Sequence, residues 1–190
     1  MKNYQRKITL ADKTPIQLRA MNRKDRDAVL AFAKALPAED LLFLRVDLTE
    51  PDVVDNWIAN LEAGNSTSIA AFDGDEFIGY ATVHTNRAHW TRHVGEIRVN
   101  VAPAFRTRGL GRVLISEIFD IAREQGLKKL MANMTVDQRG AQAAFRRLGF
   151  VVEAMMADFV QDAEGNYRDM IIMSFDIDGH SQQVDAPVKI

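Results

Sequence analysis

Apolar residues recur along the chain with two periods, and the changes between them mark out the elements. Arg6 to Leu10 and Ile16 to Ala20 flank Ala11-Asp12-Lys13-Thr14-Pro15 and read as a hairpin. Val29, Phe32, Ala33 and Leu36 then fall at i, i+3, i+4 and i+7, the stripe of a core-facing helix that Asn22 can cap and Pro37 ends. Val54, Trp57, Ile58 and Leu61 make a second stripe. Its start, Thr49-Glu50-Pro51-Asp52, resembles a capping box with an early proline and an aspartate facing the helix dipole.

The pattern then shortens to alternation. Ser68 to Phe72 and Glu76 to Val83 read as strands around the tight turn Asp73-Gly74-Asp75. Val94 to Val101 is a third strand, with Ile97, Val99 and Val101 on one face and Glu96, Arg98 and Asn100 on the other. Three polar residues on one strand face call for an explanation. After Ala102-Pro103-Ala104-Phe105 breaks that strand, a helix begins near Gly109, carries Leu110, Leu114, Ile118 and Ile121, and ends at Gly126. Lys129 to Met134 is another strand, and Asp137 is expected to cap a last helix with the stripe Ala141, Ala144, Phe145 and Leu148, closed by Gly149. Phe150 to Gln161 and Tyr167 to Asp176 form a final hairpin across Ala163-Glu164-Gly165-Asn166. Two helices, three strands, a helix, a strand, a helix and two strands thus follow the opening hairpin, an α/β layout with mixed sheet pairing. Residues 1–178 read as a single domain, and 179–190, without periodicity, as a mobile tail.

Composition narrows the chemistry. The 190 residues suit one domain, and 47% hydrophobic with 26% charged residues is ordinary globular usage, which excludes a disordered or fibrous chain. Lys plus Arg (24) against Asp plus Glu (26) leaves −2, so no global charge argues for nucleic acid or an anionic membrane, and the expected partner is a small molecule. No apolar run approaches the roughly 18 to 20 residues of a bilayer span. Met1 to Arg6 has no apolar stretch after it and so does not read as a secretory signal. With no cysteine, a disulfide framework, thiolate metal sites and a cysteine nucleophile are excluded, and the cytoplasm is the expected compartment.

Arg106-Thr107-Arg108-Gly109-Leu110-Gly111 joins a strand to a helix N-terminus, where free backbone N–H groups meet the positive end of the dipole. Gly109 and Gly111 remove side chains where a pyrophosphate would approach, and Arg106, Arg108 and Arg112 add charge. By itself this is equally a flexible turn with solvated arginines. A dinucleotide fingerprint would need a small residue where Leu114 stands, and no Gly-Lys-Ser or Gly-Lys-Thr occurs for a P-loop.

Taken together, Glu96-Ile97-Arg98-Val99-Asn100-Val101-Ala102-Pro103, Arg106-x-x-Gly109-x-Gly111 and Ala141-x-x-x-Phe145-x-x-x-Gly149-Phe150 resemble the GCN5-related N-acetyltransferase (GNAT) superfamily. The resemblance covers about residues 65–175. It implies a mixed, mostly antiparallel central sheet with helices on both faces and splayed central strands. It implies that the backbone of Arg106, Thr107, Arg108, Gly109, Leu110, Gly111 and Arg112 binds the pyrophosphate of acetyl-CoA. The edge of Val99, Asn100 and Val101 would hold the pantetheine arm, with Asn133 and Phe145 lining the other side. The thioester being already activated, the protein would orient a neutral amine, remove its proton, stabilise the oxyanion and let the thiolate leave.

By the same resemblance Glu96 is the candidate base and the backbone N–H near Val99 the oxyanion donor. Glu96 can equally form an ion pair with Arg98 or Arg92. The family often has a tyrosine where this chain has Phe145, which cannot donate a proton. Tyr80 and Tyr167 are possible substitutes, or else half-buried aromatics with hydroxyls in solvent. A thiolate with a pKa near about 8.5 would also take its proton from water. His84, His89 and His93 around Trp90 lack metal-ligand spacing and read as a loop rim or a surface recognising the acceptor. The methionines, among them Met131, Met134, Met155, Met156, Met170 and Met173, read as core filling. Asp40, Arg45, Asp47 and Glu50 are either acceptor-facing or a solvated surface. The expected activity is transfer of acetyl to a primary amine of a small molecule or amino acid. The alternatives are a peptide or protein acetyltransferase, or an acyl-CoA-binding module without turnover. A homodimer is expected from the open sheet edge and the apolar last hairpin.

Overall fold

The computed structural model describes residues 4–41, 44, 46–86, 89–162 and 164–179, apart from the side chains of residues 38 and 39. Arg45 and the tail from residue 180 onward lie outside the described residues. The opening hairpin pairs β1 (Gln5–Thr9) with β2 (Pro15–Ala20). Asn22 then starts a 3-10 turn (Arg23–Asp25) in a reciprocal capping box with Asp25, which satisfies two amides before α1 (Arg26–Lys34). A short helix not evident in the periodicity, α2 (Ala38–Leu41), precedes α3 (Pro51–Glu62).

Two of the expected caps take other partners. Thr49 turns back to Asp47, its amide donating at 2.9 Å and its hydroxyl at 2.6 Å, so the capping box does not form and Glu50 stands at the helix start without a side-chain cap. Asp137 is drawn off by the Arg168 guanidinium at 2.7 Å, a stronger partner than a helix amide. The last helix, α5 (Arg139–Arg147), therefore starts uncapped after Gln138.

The described residues form an eight-stranded sheet in the order β1-β2-β3-β4-β5-β6-β8-β7. Its remaining members are β3 (Ser66–Asp73), β4 (Glu76–Thr85), β5 (Val94–Val101), β6 (Lys129–Thr135), β7 (Val151–Gln161) and β8 (Tyr167–Asp176). Every pairing is antiparallel except β5 with β6. Apolar residues on one face, among them Ala81, Val83, Ile97, Leu130 and Met173, pack with α4 (Leu110–Glu124) and α5. On the opposite face, Ala70, Phe72, Phe77 and Tyr80 pack with α1 and α3 through Val29, Phe32, Val54, Trp57 and Ile58. Helices thus cover both faces of a mixed, mostly antiparallel sheet, as the sequence motifs imply.

Two glycines allow this packing. A Cβ on Gly79 would stand 2.6 Å from the Asn100 carbonyl oxygen, and one on Gly95 would lie 2.7 Å from both Leu127 and Val83. Met134 and Met173 fill the core as expected, but Met155 is 57% exposed because β7 is the outermost strand.

Candidate active site

β5 and β6 run parallel for three residues only, Val94 with Lys129, Gly95 with Leu130 and Glu96 with Met131. Beyond that point β5 keeps β4 as its neighbour up to Val101, while β6 keeps β8 up to Thr135. The two strands diverge at Glu96. From Ile97 onward the β6-facing side of β5 is paired with no strand among the described residues, which leaves that edge available to an extended ligand as far as the Val101 carbonyl, which accepts from Arg106. Asn133 lies on the facing part of β6 and is exposed.

Pro103, which has no amide, turns the chain into a 3-10 turn (Pro103–Phe105) and then the loop that starts α4. Thr107 (φ 61°) and Gly109 (φ 92°) are left-handed, and Gly109 begins the fifteen-residue helix without a side-chain cap. A Cβ at Gly109 would meet nothing within 4 Å, so the conformation and not crowding selects glycine, and the space before the first helical amides is open. Gly111 backs onto Val101.

The three arginines differ in what holds them. Arg106 donates through Nε to the Val101 carbonyl at 3.0 Å and grips Asp40 of α2 with two bonds of 3.0 and 2.6 Å. Arg108 lies over the Phe105 ring and is bound to Asp12 and Thr14 of the β1–β2 turn. That contact lowers the Asp12 carboxyl to about 2. Arg112 is exposed, and its side chain has neither an ion pair nor a hydrogen bond among the described residues.

Glu96, Arg98 and Asn100 stand opposite His84, Thr82 and Tyr80 of β4. The expected ion pair of Glu96 exists with Arg98, at 3.2 Å, and both side chains are about a quarter exposed (26% and 29%). Arg92 instead donates to the His89 carbonyl. Tyr80 is not half-exposed, contrary to expectation. It is buried against Trp57 (ring centroids 4.8 Å) and Phe32, because α1 and α3 close over β4. Its hydroxyl is hydrogen-bonded to the Asn100 side chain, and burial pushes its pKa up to about 12. Tyr167 is 63% exposed at the start of β8.

The strand face and the loop are thus brought together by β5, with Glu96 at the fork and Arg106 to Arg112 past its far end. Val101 and Leu110 reach the site through backbone alone, their side chains being in the core, and Val99 is partly buried against that core. Phe145 is buried edge-on against Phe150, with ring centroids 5.0 Å apart, so its ring belongs to the core. Sequence reading missed the engagement of Arg106 by Asp40 and of Arg108 by Asp12, for which no local signal exists. It separated Arg98 onto the Glu96 face by alternation and gave it no role beyond pairing with Glu96. His84 lies on β4 opposite Glu96, whereas His89, Trp90 and His93 sit exposed in the turn before β5. Among the described residues no group of three or more His, Asp or Glu is placed to hold a metal. No helix among them is long and apolar enough to cross a membrane.

Residues 31–150 match the family model described as "Acetyltransferase (GNAT) family". L-amino acid N-acyltransferase MnaT of Escherichia coli is 29% identical over 133 residues, covering 67% of this chain and 76% of that protein. Streptothricin acetyltransferase of Streptomyces lavendulae is 33% identical over 89 residues. That match takes in 47% of this chain and 46% of the relative, so the chain spans about half its length. Among solved structures, yncA from Salmonella typhimurium, described as a putative acetyltransferase with its cofactor acetyl-CoA, aligns with a TM-score of 0.76 at 22% identity, covering 90% of this chain and 99% of that one. An acetyltransferase of the GNAT family from Streptococcus pneumoniae aligns with a TM-score of 0.75 at 19% identity, covering 84% and 98%.

Proposed function

The chain belongs to the acetyltransferase (GNAT) family, whose co-substrate is acetyl-CoA, and from that premise we propose that it acetylates the primary amine of a small molecule or amino acid. The observation that carries this reading is the fork between β5 and β6, with a carboxylate at its apex and an uncapped helix start beyond its open edge. Relatives named for action on an amino acid and on streptothricin support a small acceptor.

Acetyl-CoA supplies an activated thioester, so the work left to the chain is binding, orientation and proton transfer. The backbone from Arg106 to Gly111 and the free cation of Arg112 hold the pyrophosphate. Arg106 and Arg108 act as struts, tying this loop to α2 and to the first hairpin. The open edge of Val99 to Val101 binds the pantetheine arm and Asn133 forms the facing wall. The Val99 amide donates to the thioester oxygen, where charge develops. Glu96 takes the proton from the attacking amine, directly or through water. With Phe145 in the core, its lack of a hydroxyl leaves the open part of the fork unchanged, and the departing thiolate is protonated by water. β7, exposed on both faces at the outer edge of the sheet, pairs with a second copy to form a homodimer.

Acetyl-CoA at 100 times its dissociation constant should stabilise the fold by roughly 2.7 kcal/mol, read as a rise in melting temperature. Thiol release should then appear with some members of a panel of amines, amino acids, polyamines, aminoglycosides and peptides. An unmoved melting curve at millimolar acetyl-CoA would remove the reading, and tight binding without turnover across the panel would replace it with a binding module.

A further inference from the structure

The face of the sheet that carries Glu96 is polar for three strands. Register places Ser66, His84 and Glu96 on one rung, Ser68, Thr82 and Arg98 on the next, and Ala70, Tyr80 and Asn100 on the third. Some of these groups satisfy one another, although the Ser66 hydroxyl is buried without a partner. The Ser68 and Thr82 hydroxyls share a buried bond of 2.6 Å, and Tyr80 is bonded to Asn100. Arg98 is different. A guanidinium presents five N–H donors, and among the described residues only one of them is used, at 3.2 Å to Glu96. Removed from most solvent contact and flat, that group suits a planar anion gripped by two parallel bonds.

Resting on the acetyltransferase reading of this site, we propose that Arg98 binds the carboxylate of an α-amino acid acceptor while Glu96 receives its amino group. Glu96 and Arg98 are two residues apart on one strand face, roughly 6.8 Å along the strand, with their charges drawn together. An α-amino acid zwitterion carries its two opposite charges on either side of one Cα, so it exchanges one ion pair for two. An amine without a carboxylate takes Glu96 away from Arg98 and leaves a partly buried guanidinium unpaired. A polyamine brings a further cation against that guanidinium. The site therefore selects α-amino acids over monoamines and polyamines.

The test compares L-amino acids with their decarboxylated amines, L-phenylalanine with phenethylamine and L-leucine with isoamylamine among them, at saturating acetyl-CoA and with spermidine alongside. The wild-type protein should favour the amino acid in the best pair by about 10- to 100-fold in kcat/KM, mostly through KM. Arg98→Gln should bring that ratio towards one, and Arg98→Lys should restore part of it. Because removing Arg98 also alters the surroundings of Glu96, the ratio and not either rate is the readout. A wild-type protein that turns over the amines or spermidine as well as the amino acids overturns the assignment of Arg98 and leaves the acetyltransferase standing. So does turnover of none of the amino acids by a protein that binds acetyl-CoA. Failure to bind acetyl-CoA overturns the premise itself.

Discussion

Arg106, Arg108 and Arg112 carry the same formal charge within seven residues, yet only Arg112 has no carboxylate partner among the described residues. On the proposed reading, attraction for a pyrophosphate comes from Arg112 and from the amides behind Gly109. Gly109→Glu should abolish acetyl-CoA binding by placing a carboxylate at those amides. Gly109→Ala has the same left-handed strain, of order 1–3 kcal/mol, without the charge and should bind within a few-fold of wild type in a titration. Equal affinities for the two variants would place the phosphates elsewhere. Glu96→Gln is the matching test of the base: kcat should fall by about 100-fold or more at neutral pH while acetyl-CoA affinity is nearly unchanged. Full activity in that variant would leave proton loss to water.

At the scale of elements, β7 departs furthest from ordinary practice. Val151, Val152, Met155 and Phe159 are each 45–57% exposed on an edge strand whose Glu153 is paired with Lys129 and accepts a hydrogen bond from Ser174. Edge strands usually carry unpaired charge that discourages association, and besides Glu153 this one carries only Asp158. In sedimentation at micromolar concentration the wild-type chain should run as a dimer, and Val152→Lys with Met155→Lys should yield a monomer. A wild-type monomer would end the proposal of pairing. The residues involved lie on the far side of β8 from the fork, so thiol release per chain should change little in the variant.

Across the molecule, two apolar layers flank the sheet, and each holds a tyrosine, Tyr80 buried within one and Tyr4 partly buried against the other. Tyr80 is pushed up to about 12 by burial. Tyr4, whose hydroxyl donates to Glu117 at 2.6 Å, is raised further by burial and by that carboxylate. A phenol whose pKa is higher in the folded state adds stability that is complete below its unfolded value near 10 and is lost as pH rises through the folded one. The urea midpoint should thus hold up to about pH 10 and decline towards pH 12. Tyr80→Phe should make that decline shallower without removing it, since Tyr4 still contributes. A decline of unchanged steepness would mean that Tyr80 titrates as an ordinary phenol.

Much of this architecture is local and so could be read in order along the chain. The stripes of α1, α3, α4 and α5, the alternation of β5 and the left-handed glycines at 109 and 149 depend on residues two to four positions apart. The polar face of Glu96, Arg98 and Asn100 follows from the same alternation. What assembly alone decided involves distant residues. Asp40 reaches Arg106 across 66 positions and Asp12 reaches Arg108 across 96, which ties both guanidinium groups to other elements. Tyr80 became a core residue because α1 and α3, from other parts of the chain, close over it. The position of the fork depends on register. β5 and β6 separate where each holds a better antiparallel neighbour, and no periodicity within either strand records the sequence of the strand beside it.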